Sequence, residues 1–148
     1  MVGFSFSIGL IFGAVLNSFN IPIHIYLFFL TSSFLLIARE IIKGCEDIEG
    51  DKEGGIKTLA IQIGIKKATV VSFIFAVLAI ICFVLVVFTN ILNVLLFLIS
   101  MAFGVIIVII SAILMLKRNL DRSDFKKISL FLKIGAFLGL IAFLFASF

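Results

Sequence analysis

The chain alternates between long stretches without charge and two short stretches that hold nearly all of it. Residues 1–38 contain no Asp, Glu, Lys or Arg, and neither do residues 68–116. After Lys133 the sequence is again uncharged to Phe148. Crossing about 30 Å of hydrocarbon takes about 20 residues of helix. Backbone polar groups in lipid must be paired within their own segment, so spans of this kind are helices. The pattern predicts five transmembrane helices, at about 2–16, from 22 to 39 or a little beyond, and at 68–88, 92–116 and 128–148. Residues 17–20 followed by Pro22 mark the first turn, and Thr89, Asn90 and Asn93 mark a tight reversal. Pro22 suits a first helical turn, where its missing N–H costs nothing. Gly9 and Gly13 form a GxxxG step that permits close helix approach. The first span lacks a basic leader and is followed by no polar domain, so it reads as a retained helix and not as a signal peptide.

Composition strengthens this reading. Hydrophobic residues make up 64% of the 148 and charged residues 14%, against about 25% charged in soluble domains. A soluble fold of this size cannot hide that much apolar surface, whereas lipid can take it. The fold class expected is an all-α transmembrane helical bundle. Of the twelve Lys and Arg, eleven lie in 39–67 and 117–127, together with all eight acids. The intervening loops, around 18–21 and 89–93, carry no charge. Basic loops mark the cytoplasmic side, so a multi-pass protein of the cell membrane is expected, with 39–67 and 117–127 cytoplasmic and the C-terminus outside. The net charge of +4 is explained by topology and anionic headgroups, and nucleic acid is not expected as a partner. Cys45 and Cys82 have no metal-ligand spacing and read as small apolar fillers. Lys133 falls inside the fifth span. It either snorkels to the interface or meets a phosphate.

One stretch is dense enough in polar groups to carry chemistry. Six acidic and four basic residues fall in the nineteen positions from Arg39 to Lys57. Arg39, Lys43, Asp47 and Asp51 recur every four residues and share one face if the second helix continues past the membrane plane. Asp47 and Asp51 would then present two carboxylates one turn apart. Such a pair suits Mg²⁺, which takes oxygen ligands and fills its shell with water and phosphate. Lys43, Lys52 and Lys57 could meet the phosphate charge, and Gly50, Gly54 and Gly55 could turn backbone N–H groups toward an anion. A solvated loop laced with i,i+4 ion pairs accounts for the same composition. An EF-hand fails, because a loop starting at Asp47 has Lys52 where Gly is needed and Thr58 where Glu is needed. A GxxxxGK[ST] phosphate loop fails on spacing.

The run from Arg39 to Gly64 resembles the second aspartate-rich motif of the UbiA-type intramembrane prenyltransferases. The family pattern, DxxxD followed by Gly and K-[ST]-L, falls on Asp47, Asp51, Gly55, Lys57, Thr58 and Leu59. The flanking Arg39-Glu40, Lys43 and Glu46 to Asp51 look most like the archaeal digeranylgeranylglyceryl phosphate synthase branch. The resemblance implies that residues 1–148 are a partial prenyltransferase domain, with spans like helices five to nine of a nine-helix enzyme. It implies that Asp47 and Asp51 form a catalytic pair holding Mg²⁺. Lys43, Lys52, Lys57 and Arg39 become candidate diphosphate or phosphate contacts. A prenyl diphosphate, geranylgeranyl in this branch, would be the donor. A lipid or aromatic acceptor, such as geranylgeranylglyceryl phosphate, would be its partner. The family's first motif, of the NDxxDxxxD kind, is absent, and no Asp precedes Asp47. The chain is therefore expected to be a fragment, a truncated reading frame or a split subunit, inactive alone and needing a chain that supplies the first motif. A non-catalytic structural subunit of a membrane complex fits the same hydropathy. A small permease fits less well, since it needs ionisable groups at mid-membrane.

Overall fold

The computed structural model describes residues 8–9, 11–13, 15–16, 21–91 and 93–147. Helix α1 spans Ile23–Glu46, α2 Ile48–Glu53, α3 Leu59–Ile63, α4 Ile65–Leu85, α5 Val94–Met115 and α6 Arg122–Ser147. A 3₁₀ turn, Val86–Phe88, extends α4. Among the described residues, four helices are long and apolar enough to cross a membrane: α1, α4 with its 3₁₀ turn, α5 and α6. The span expected at 2–16 lies largely outside the described residues. Its described positions are helical, and a Cβ placed at Gly9 or Gly13 meets no described atom within 4 Å. The GxxxG step is thus not a contact of the described bundle.

The spans run back and forth, and each packs on its chain neighbour, while α6 returns to α1 and closes the ring. What decides the packing is residue size. On α4 the buried rail is Ala68, Ser72, Ala76, Ala79 and Phe83, and the exposed rail is Val70, Ile74, Leu78 and Ile81. On α5 the buried rail includes Ser100, Gly104, Val108 and Ser111, against exposed Phe103, Ile106, Ile110 and Ile113. Both rails step by three or four residues, the helical repeat. A water-soluble bundle would turn its large apolar residues inward. In lipid those residues gain little by facing another helix, and small residues let backbones approach.

Three buried serines pair their hydroxyls with backbone carbonyls, whereas the Ser33 hydroxyl is buried without a partner. Ser72 donates to the Ala38 carbonyl across the α4–α1 contact at 2.8 Å. Ser100 and Ser111 donate to carbonyls of their own helix, Leu96 at 2.9 Å and Val108 at 2.9 Å. The uncharged end of the bundle is filled differently. Phe28, Phe83, Phe97 and Phe143 meet edge to face, with centroids 5.1 to 6.3 Å apart, a favoured aromatic geometry. Asn93 donates its N–H to the Phe145 carbonyl at 3.3 Å and ties α5 to the end of α6.

Two boundaries differ from expectation. Pro22 is the N-cap with extended backbone, and α1 begins after it. The last helix starts at Arg122 instead of near 128. Asp124 explains this early start. It accepts the Asp121 N–H at 3.2 Å, the reach-back half of a capping box, so the helix is begun in water before it enters the membrane.

Helices α5 and α6 approach closely at Gly104 and Gly135. A Cβ at Gly135 would lie 2.5 Å from Val108 Cγ2 and 3.8 Å from the Gly104 carbonyl oxygen. Valine has little rotamer freedom to give way. Gly135→Val is therefore expected to lower stability by about 1–3 kcal/mol, the usual cost of overpacking, read as a lower unfolding temperature in detergent. Val108→Ala in the same chain should restore part of the loss, because it removes the clashing methyl.

Candidate functional site

The charged end of the bundle is where the chain between α1 and α4 turns back. Helix α1 carries its hydrogen-bond ladder to Asp47, whose N–H donates to the Lys43 carbonyl at 3.1 Å. Asp47 then leaves helical geometry, with φ −104° and ψ 19°. The ladder resumes directly, since the Asp51 N–H donates to the Asp47 carbonyl at 2.9 Å. The result is a kink at Asp47 that keeps the two aspartates one turn apart and turns α2 away from the axis of α1.

The end of α2 is fixed by glycine. Gly55 has φ +69°. Its N–H donates to Lys52, and that of Ile56 donates to Asp51. These two bonds define a Schellman stop, which needs a left-handed residue at that position. The N–H groups of Gly54 and Gly55 are thus used up in ending α2, and the expectation that they turn toward an anion is corrected. Gly64, at φ +87°, supplies the second glycine-only bend, between α3 and α4. At Gly44 the extended segment passes α1 at ordinary van der Waals distance. A Cβ there would sit 3.4 Å from Thr58 Cβ.

Asp47 is the focus of the charge. Lys43 reaches it at 3.2 Å and also approaches Glu46 at 3.6 Å. Arg122, from the start of α6, reaches the other Asp47 oxygen at 3.5 Å. The two charged loops therefore meet at one carboxylate. These are partly exposed pairs, worth about 0–1 kcal/mol each, so they position Asp47 more than they stabilise the fold. Glu46 is nearly buried, with its side chain 6% exposed. On the far side of the α6 start, Lys117 donates to Asp124 at 2.6 Å, and this bond holds the exposed Lys117 ammonium above the usual lysine range.

Asp47 and Asp51 both line an open cleft of about 650 Å³, whose walls also include Glu46, Glu49, Glu53 and Arg122. Leu120 and Phe125 form its apolar side. The other candidates divide. Lys43 touches the cleft through Asp47. Lys52 and Lys57 are exposed and do not line it. Arg39 pairs with Glu40 at 3.1 Å, and its Nε is buried without a hydrogen-bond partner. The Thr58 hydroxyl is likewise buried and unpaired. The sequence offers Arg118, Arg122 and Lys126 as basic candidates on a loop that could close over the site, although topology also explains them, and of the three Arg122 lines the cleft. Glu46 had a usable signal in its i,i+3 relation to Lys43. Among the described residues, no three His, Cys, Asp or Glu side chains converge as a metal set. A donor pair of Asp47 and Asp51, in an open cleft whose walls carry five carboxylates and one guanidinium, suits a cation that completes its shell with water and phosphate. It does not suit one that needs a closed protein cage.

The family model described as "UbiA prenyltransferase family" matches residues 1–138. Among similar proteins, the digeranylgeranylglyceryl phosphate synthase of Thermococcus kodakarensis is 41% identical over 112 residues, which is 75% of this chain and 39% of the relative. That of Methanosarcina mazei is 35% identical over 136 residues, 90% of this chain and 45% of the relative. That of Sulfolobus acidocaldarius is 45% identical over 64 residues, 43% of this chain and 21% of the relative. The chain spans at most about half the length of these relatives. No solved structure matches. A match over nearly the whole sequence, on a bundle of apolar helices with the DxxxD stretch at its charged end, places the chain in the UbiA prenyltransferase family.

Proposed function

We propose that this chain supplies the diphosphate-binding face of a magnesium-dependent membrane prenyltransferase. Its donor would be a prenyl diphosphate, geranylgeranyl in the branch its relatives represent. Its acceptor would be a membrane-lipid precursor such as geranylgeranylglyceryl phosphate. The observation that carries the reading is the pair Asp47 and Asp51, one turn apart on one cleft wall, with Lys43 and Arg122 converging on Asp47.

Asp47 and Asp51 would hold Mg²⁺, which when bound offsets the negative charge that grows on the departing diphosphate. Lys43 and Arg122 keep the Asp47 carboxylate aimed into the cleft. Arg39, with one donor unmet, is a phosphate contact, and Lys52 and Lys57 raise the local positive potential from the rim without touching the cleft. In the transfer the prenyl C–O bond to diphosphate breaks, a C–O bond forms to the acceptor hydroxyl, and the hydroxyl proton leaves to water or diphosphate oxygen. The apolar spans below the cleft keep water from competing for the allylic centre.

One carboxylate pair encloses only part of a metal–diphosphate group. A segment carrying an NDxxDxxxD motif, on a companion polypeptide or joined to this one, is the proposed source of the rest, and the basic loops are proposed to face the cytoplasm. Against a permease stand Ser72, Ser100 and Ser111, which spend their hydroxyls on backbone carbonyls.

In membranes containing the chain and such a companion, Asp47→Asn or Asp51→Asn should each reduce prenyl transfer by more than about 100-fold, beyond the usual cost of losing an outer-shell partner. Unchanged transfer by both variants rejects the assignment. Arg122→Gln should cost about tenfold, the scale of an orienting contact, and should raise the Mg²⁺ concentration needed for half-maximal rate. The purified chain without a companion should show no transfer, and turnover by it alone would contradict the shared-site reading.

A further inference from the structure

A second cavity lies within the membrane, between α1 and α6. It is about 240 Å³ and almost wholly apolar, walled by Phe28, Leu35 and Leu36 on one side and by Phe137, Leu140 and Phe143 on the other. One charged residue touches it, Lys133. Lys133 is exposed, and it forms no ion pair among the described residues. Thr31 in the cavity wall spends its hydroxyl on the Leu27 carbonyl at 2.8 Å. Ser32, also in the wall, donates its hydroxyl to the Phe29 carbonyl at 3.1 Å, so the cavity offers a ligand one cation, two hydroxyls already bonded to backbone, and otherwise hydrocarbon.

Helix geometry separates this place from the aspartate cleft. Lys133 is eleven residues along α6 from Arg122, which touches Asp47, or about 16 Å at 1.5 Å per residue. An amine at that depth, even reaching back toward the headgroups, serves a different anion from one held at Asp47. Below it the groove continues to Phe143 for about another 15 Å of helix. An uncompensated cation facing an intramembrane cavity is costly and calls for a counter-charge.

We infer that the α1–α6 groove binds one hydrocarbon chain of a membrane lipid bearing a phosphate head, with Lys133 pairing to that phosphate. This site is separate from the metal reading and needs no Mg²⁺. Charge complementarity selects the head, and the apolar walls select the tail.

Gly139 provides a clean probe. It lines the groove, and a Cβ added there meets no described atom within 4 Å, so the side chain of a larger residue starts in open space and is directed to fill the cavity. The experiment measures retention of hexadecyl phosphate and of hexadecanol by the purified chain in neutral detergent with EDTA, using native mass spectrometry. The wild type should retain the phosphate at least about tenfold better than the alcohol. Lys133→Gln should remove that preference and leave the alcohol unchanged. Gly139→Leu should weaken both probes while the unfolding temperature stays at or above that of the wild type. Asp47→Asn should change neither, which keeps this result independent of the proposed transfer site. Equal retention of the two probes by the wild type, or phosphate retention unchanged in both Lys133→Gln and Gly139→Leu, would reduce the groove to an annular lipid contact and overturn the inference.

Discussion

In a hydrocarbon solvent, a large apolar side chain gains little by turning from lipid toward another helix, so association depends on how closely backbones can approach. The bundle is organised by this constraint. Alanine, serine and glycine line the contacts of α4 and α5 at helical spacing, and the bulky Ile, Leu and Phe residues face outward. Gly104 and Gly135 face each other in the middle of the α5–α6 pair. The aromatic cluster closes the uncharged end, where four Phe rings from four elements fill a wider space. Toward the charged end the space is filled by aliphatic and single aromatic side chains, among them Ile42, Met115, Phe125 and Ile128.

The site follows from that arrangement. Helices that run back and forth deliver the α1 end and the α6 start to the same face, and α6 packs directly on α1. Arg122 thereby reaches Asp47 from a segment 75 positions away in sequence. The kink at Asp47 and the Schellman stop at Gly55 give α2 its length and direction. Together they set Asp47 and Asp51 on the cleft wall and carry Lys52 and Lys57 off it. Membrane packing and site geometry are thus one problem. A splayed α1–α6 contact would separate Asp47 from Arg122 and would also open the groove at Lys133.

The spans beyond residue 22 were legible because charge is so costly in lipid that its absence draws the membrane-embedded segments. Their ends were less so. Charge marks where a span leaves the membrane but does not stop a helix, and the run from Arg122 to Lys127 is helical for reasons of capping. The aspartate pair was legible from its four-residue spacing, and the family from the DxxxD to K-T-L pattern. Which basic residues attend the pair was not. Lys52 and Lys57 are near in sequence but on the wrong side of a kink and a turn, whereas Arg122 is distant and ordinary in its local context. The glycines were read as anion-facing because their flexibility was visible, while the hydrogen bonds that consume their N–H groups were not.

The account stands on both charged loops occupying one face of the membrane. Single cysteines at Lys52, Asn90 and Arg118, in a chain with Cys45 and Cys82 replaced by alanine, can be tested with an impermeant thiol reagent in intact and permeabilised cells. The arrangement described here requires Lys52→Cys and Arg118→Cys to react only after permeabilisation, and Asn90→Cys to react in intact cells. Reaction of Lys52→Cys and Arg118→Cys from opposite faces would contradict it.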